Sequence, residues 1–261
     1  MRVPIFHVDA FTSRPFAGNP AAVCLLDAWL DDDRLRKVAA ENNLSETAYL
    51  VPRADGYELR WFTPRCEVKL CGHATLASAF ILANILKPGR DELRFQTRFS
   101  GELTVSKQGA LFSMDFPACP PRALDMPEAL VKALGSRPKA VLEGNETYVA
   151  VYESETAVRA IRPDFAQLDR LHPWAVAITA PGDEVDFLSR YFAPSYGIPE
   201  DPVTGSAHCL LAPYWAGRLG KNQLHAQQVS QRGGEIWCEV LGDRVAIRGE
   251  AVLILQGSLL L

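Results

Sequence analysis

The sequence predicts an α+β protein of two similar halves, each a set of many strands around one buried helix. Three observations carry this. Residues 73–86 (HATLASAFILANIL) and 206–219 (SAHCLLAPYWAGRL) are apolar on almost every side and rich in helix formers, and a helix without a polar face has to be covered all round. Short runs of β-branched and aromatic residues, punctuated by Gly, Pro and Asn, lie before and after each of them. The order of strands, apolar helix, strands then occurs twice, on either side of the proline-rich stretch PACPPRALDMPEAL, so the expected halves are residues 1–118, with room for the last strand, and 119–261. The repeat is one of pattern, without residue-by-residue identity. An ordinary two-layer α+β fold is also compatible, but a sheet curled around its helix suits helices that have no polar face to offer water.

Along the chain, FHVDAFT and AAVCLL read as strands joined through the turn signals Ala17-Gly18-Asn19-Pro20. The run of acids from Asp31 to Asp33 precedes LRKVAAENN, where Leu35, Val38 and Ala39 recur at helical spacing. ETAYLV and YELRWFT read as strands, the second ended by Pro64. After the first apolar helix come the strands LRFQT, GELTVSK and ALFSMDF. The second half gives strands at AVLEG, TYVAVY, AVRAI and WAVAITA, with a short helix at FAQLDRL. Its apolar helix contains Pro213, which is expected to kink or split it. Four strands close the chain, at AQQVSQ, EIWCEV, DRVAIRG and AVLILQG.

Composition narrows the function. Of 261 residues, 48% are apolar and 22% charged, ordinary for a globular protein. With a net charge of −4 and no basic run, nothing concentrates a polyanion, so nucleic acid is not an expected partner. The first twenty residues lack the pattern of a signal peptide, and no apolar stretch approaches the roughly 18 residues of a membrane span, so a cytoplasmic protein without a membrane partner is expected. The six cysteines include no C-x-x-C pair; free, mostly buried thiols are expected. The five histidines show no ligand spacing, so no metal site is expected, and His208 reads as a satisfied core histidine.

Candidate chemistry gathers before the two apolar helices. Cys71-Gly72-His73-Ala74-Thr75 introduces the first and Asp201-Pro202-Val203-Thr204-Gly205-Ser206 the second. Backbone N–H groups at a helix start carry partial positive charge, and glycine lets a carboxylate come close; the plainer alternative is a tight turn capped by Thr or Ser. Glu46, between a helix and an apolar strand, can have its pKa raised by burial and so take and return a proton; alternatively it is a capping or salt-bridged glutamate. Asp201 is an N-cap or a second acid/base group. His73 is a proton carrier, a hydrogen-bond donor to substrate, or a cap. A thiol hydrolase built on Cys71 and His73 lacks an orienting partner by spacing.

FAGNPAAV (16–23), NNLSETAYL (42–50), RWFTP (60–64), CGHATLASA (71–79), DPVTGSAH (201–208) and SQRGGE (230–235) resemble, in order, the motif series of the PhzF-like (phenazine biosynthesis-like) isomerases. The resemblance implies the diaminopimelate-epimerase-like fold: two pseudo-symmetric lobes, each a β-barrel wrapped around a central apolar helix, with the active site in the cleft between them. It also implies a cofactor-independent isomerase moving a proton on a small carboxylate-bearing metabolite, and a homodimer. Carried over by motif, the catalytic residues are Glu46, His73 and Asp201, and the substrate-binding residues are Asn19, Gly72, Gly205 and Ser206, with no metal. Related racemases use two opposed cysteines; here only Cys71 is present, and Asp201 stands where the second would be. The alternatives are an amino-acid epimerase or racemase with two opposed acid/base groups, and a catalytically silent small-molecule binding protein.

Overall fold

The computed structural model describes all 261 residues. They divide into two compact units, Met1–Asp115 with Arg248–Leu261, and Phe116–Ile247. The first contains β1 (Arg2–Ala10), β2 (Asn19–Leu25), α1 (Asp32–Asn42), β3 (Glu46–Arg53), β4 (Gly56–Phe62), β5 (Glu67–Val68), α2 (Gly72–Ile81), β6 (Glu92–Thr97), β7 (Glu102–Gln108) and most of β8 (Leu111–Pro117). The second contains β9 (Arg122–Leu124), α3 (Glu128–Leu134), β10 (Ala140–Gly144), β11 (Thr147–Val151), α4 (Glu155–Ala160), α5 (Phe165–Asp169), β12 (Ala175–Pro181), β13 (Phe187–Ala193), β14 (Ile198–Asp201), α6 (Gly205–Leu219), β15 (Gln223–Gln228), β16 (Gly234–Leu241) and the start of β17 (Arg244–Gly249). The last strand, β18 (Ala251–Leu260), goes with the first unit because its ladder partner is β1.

The strands of the two units follow one plan. In the first unit β1–β2 is antiparallel, β2–β3 parallel, β3–β4 antiparallel, β4–β6 parallel and β6–β7 antiparallel. In the second, β10–β11, β11–β12, β12–β13, β13–β15 and β15–β16 repeat that sequence of directions. A short strand, β5 or β14, follows the fourth member each time, and the apolar helix, α2 or α6, follows it. Both parallel steps need a crossover, and helices supply them.

In each unit the strands are covered on two sides. In the first unit α2 packs on β1, β2, β3 and β18, while Leu35, Val38 and Ala39 of α1 meet Val3, Ile5, Ala22 and Cys24 on the other face. Strands buried on both faces carry continuous apolar runs in place of alternation, which is why AAVCLL reads as it does. In the second unit Leu130, Leu134, Val158 and Leu168 of α3, α4 and α5 pack against Ile178, Leu188 and Phe192, and α6 packs on β15 and β16. Thr75 and Ser78 are buried on α2 because their hydroxyls return hydrogen bonds to the Cys71 and Ala74 carbonyls, at 2.6 and 2.7 Å.

Three local expectations change. AVRAI is a helix, α4, because Ser154 caps it by accepting from the Ala157 N–H and the cap outweighs the β-branched Val158. The proline-rich stretch read as a boundary follows directly on the division between Asp115 and Phe116 and holds β9 and α3. The first apolar helix ends at Ile81 and continues as a π-helical turn, Leu82–Leu86, where Ile85 and Leu86 become partly exposed. Pro213 does not split α6, which runs unbroken from Gly205 to Leu219. A proline leaves the carbonyl four residues back without its helical donor; that carbonyl, of Cys209, accepts instead from the Cys119 N–H at 2.9 Å.

None of the six cysteines is in a disulfide; Cys24, Cys71, Cys209 and Cys238 are buried and Cys66 is exposed. No helix is long and apolar enough to cross a membrane.

Candidate functional site

In the first unit, α1 ends at Asn43, whose left-handed conformation (φ 49°) turns the chain so that its N–H donates to Ala39. Three residues later Glu46 opens β3, beside Ala21 of β2 in parallel register. Its carboxylate is nearly buried. It is neither in a helix start nor part of a capping box. Asn19 begins β2, fully buried, opposite Ala10.

The start of α2 brings three chemically active side chains together. Cys71 is the N-cap residue, extended (φ −145°, ψ 109°), and its side chain does not cap the helix. Gly72 is the first helical residue and His73 the second. The His73 ring lies between two partners: Nδ1 is 3.5 Å from Cys71 Sγ, and Nε2 is 3.2 Å from Glu46 Oε2. The second approach is off the line of a hydrogen bond, close enough to pair without being aligned. Burial pushes the His73 pKa down to about 3, because an apolar surrounding disfavours imidazolium. The ring is therefore neutral. One ligand-type atom from each of Glu46, Cys71 and His73 lies within 4.8 Å of the others.

This cluster corrects two expectations drawn from spacing. Cys71 and His73 do have a third group in line, Glu46, which is 25 residues or more away in sequence. A search for ligand spacing among histidines alone also misses a cluster whose other members are a thiol and a carboxylate.

In the second unit, Asp201 ends β14 opposite Tyr191 and is nearly buried. It is not the N-cap of α6. Thr204 is, and its side chain does not cap the helix either; the Thr204 hydroxyl donates to Asp201 Oδ2. Gly205 is buried and Ser206 exposed at the first two helical positions. Sequence reasoning missed the groups that hold this loop. Gln228, fully buried at the end of β15, accepts from the Thr204 N–H at 2.8 Å and donates to the Asp201 carbonyl at 2.8 Å and to Thr204 Oγ1 at 3.1 Å. Ser230, in the SQRGGE motif, donates to the Pro202 carbonyl at 2.9 Å.

His208 is buried one turn into α6. Its Nδ1–H donates to the Thr204 carbonyl at 2.8 Å, and this fixes the tautomer. Nε2 has no hydrogen-bond partner, so the expected core histidine is satisfied at one nitrogen only. Burial pushes its pKa down to about 4.

The signal for Gln228 was present in the strand period. Leu224, Ala226 and Gln228 share one face of β15, and all three are buried; a glutamine in phase with core residues has to find partners inside.

Comparison with known proteins sets these clusters in context. Residues 8–257 match the family model described as phenazine biosynthesis-like protein. The chain is 52% identical to an uncharacterized isomerase of Pseudomonas aeruginosa over 259 residues, 99% of each chain. It superposes on a crystal structure of a PhzF-family phenazine biosynthesis protein from Enterococcus faecalis with a TM-score of 0.96 and 44% identity, covering 100% of both chains. A probable proline racemase from Agrobacterium radiobacter gives a TM-score of 0.61 at 11% identity, over 99% of this chain and 93% of that one. At that identity the likeness is one of fold, and it agrees with the diaminopimelate-epimerase-like architecture.

Proposed function

The chain belongs to the phenazine biosynthesis-like family and is an isomerase, and from that premise we propose that it moves a proton on a small carboxylate-bearing metabolite without a cofactor, Glu46 being the acid/base group. The observation that carries this reading is the pairing of a nearly buried Glu46 with a neutral His73 at 3.2 Å. A base that must take a proton from carbon and return it elsewhere works best when its carboxylate is held still and shielded from water. His73 Nε2 stands 3.2 Å from Oε2 without an aligned hydrogen bond, and the carboxylate's other oxygen is the atom assigned to the substrate proton. With substrate bound, a small turn of the neutral ring would align Nε2–H on the carboxylate or, in the other tautomer, let Nε2 accept from the carboxylic acid.

The grip on the substrate carboxylate is assigned to helix starts. Neither α2 nor α6 is capped by its own N-cap side chain, and Gly72 and Gly205 carry no Cβ to keep an anion away. Ser206 adds an exposed hydroxyl at the start of α6. The Asp201 carboxylate, held by the Thr204 hydroxyl, is assigned a hydrogen bond to substrate. Asn19 is assigned to substrate binding as well.

Glu46→Gln separates binding from chemistry, because an amide keeps the shape of the side chain and cannot ionise. The test is a thermal-shift screen of small carboxylates on both proteins, followed by NMR of substrate-proton exchange in deuterated water for each hit. The variant is expected to bind the same hits and to exchange about 10²–10⁴-fold more slowly. Equal exchange rates would remove Glu46 from the mechanism and pass the role to Asp201 or Cys71.

A further inference from the structure

We propose that Cys71, His73 and Glu46 form a three-ligand site for a borderline or soft divalent cation of the Zn2+ class, and that its occupancy stops the proton transfer assigned to Glu46. The regulatory half of this statement rests on the reading of Glu46 given above; the binding half does not.

The donor set is the first ground. A thiol, an imidazole nitrogen and a carboxylate oxygen, each side chain nearly buried, present one atom apiece within 4.8 Å of one another. Ligand atoms around a tetrahedral zinc stand about 3.5 Å apart, and the 3.2 Å between His73 Nε2 and Glu46 Oε2 is already of that order. One ring nitrogen binds a given ion, so Cys71 Sγ, which stands by Nδ1, has to turn toward Nε2 for the three donors to meet on one ion.

The donor types, a thiol, an imidazole nitrogen and a carboxylate oxygen, are those that divalent zinc takes in protein sites. The thiol selects the ion: thiolate suits zinc and its neighbours, whereas magnesium and calcium prefer oxygen sets. On binding, the Cys71 thiol forms its bond to the ion as thiolate and its proton passes to solvent. A Glu46 oxygen engaged on a dication can no longer accept a proton from carbon.

The experiment uses the whole protein, freed of metal by a chelator, and Co2+ alone as the probe, since Co2+ reports thiolate ligation by near-ultraviolet charge transfer and visible bands of tetrahedral intensity. One equivalent is expected to develop these bands, and Zn2+ to bleach them. Cys71→Ala is expected to lose the charge-transfer band, and Glu46→Gln to weaken Co2+ binding at least about tenfold. If Cys71→Ala fails to fold by circular dichroism, the Glu46→Gln affinity alone decides. Absence of the bands, their persistence in Cys71→Ala, or an unchanged affinity in Glu46→Gln would overturn the site. Because the titration needs no substrate, a failed titration leaves the acid/base role of Glu46 standing, and a failed exchange experiment leaves the cation site standing.

Discussion

At the scale of single residues, Gln228 shows how one buried amide can fix a candidate site from outside it. Its carbonyl oxygen meets an N–H and its amino group meets a C=O and a hydroxyl, so rotating the amide by a half turn would put donors against donors. With Ser230 on the Pro202 carbonyl, it holds Asp201, Pro202 and Thr204. Gln228→Ala removes three hydrogen bonds and leaves buried partners unpaired. A loss of about 2–4 kcal/mol is expected, read as a lower urea midpoint with an unchanged m-value. A variant as stable as the parent would mean that water or a neighbouring group replaces the amide, and that Gln228 does not hold the loop.

At the scale of elements, the apolar helices keep their irregularities where a neighbour satisfies what the helix gives up. Pro213 sits inside a continuous α6, and the carbonyl it frees, at Cys209, receives the Cys119 N–H. The proline is thus a means of pinning the 118–119 segment to the helix. Pro213→Ala restores an N–H that competes for the same carbonyl. Amide hydrogen exchange at Cys119 is expected to be slow in the parent and at least several-fold faster in the variant, with α6 itself equally or better protected. Unchanged protection of Cys119 would show that the segment is held by other contacts.

At the scale of the whole molecule, each unit buries a neutral histidine at or near the start of its apolar helix, and the sign of the resulting pH dependence follows. Unfolded, each imidazole takes a proton near 6.5; folded, His73 does so only at about 3 and His208 at about 4. Between those values the unfolded chain binds more protons, so stability rises with pH. The contribution of the neutral rings is complete above 6.5 and is lost as pH falls toward 4 and 3. The slope is up to about 1.4 kcal/mol per pH unit for each ring. Urea midpoints between pH 7.5 and 4.5 check this: they should fall below pH 6.5, and less steeply in His208→Gln. A midpoint that holds constant from pH 7.5 to 5 would mean that the rings are not buried neutral.

The sequence by itself determined the fold class, the strands near the apolar helices, the family and the residues that open α2 and α6. Those rest on local patterns: an all-round apolar helix, runs of β-branched residues, and short motifs whose order along the chain can be read directly. What only the tertiary structure decided are relations between residues far apart in sequence. Glu46 and His73 are 3.2 Å apart because β3 and α2 pack on one another, and no spacing rule connects positions 46, 71 and 73. The same holds for Gln228, which follows Asp201 by 27 residues and was legible only as a polar residue in a core phase. α4 was misread for the opposite reason: its signal was local, the Ser154 cap, but Val158 and Ile161 spoke for a strand. Their burial against β12 and β13 suits either conformation, and the cap decided.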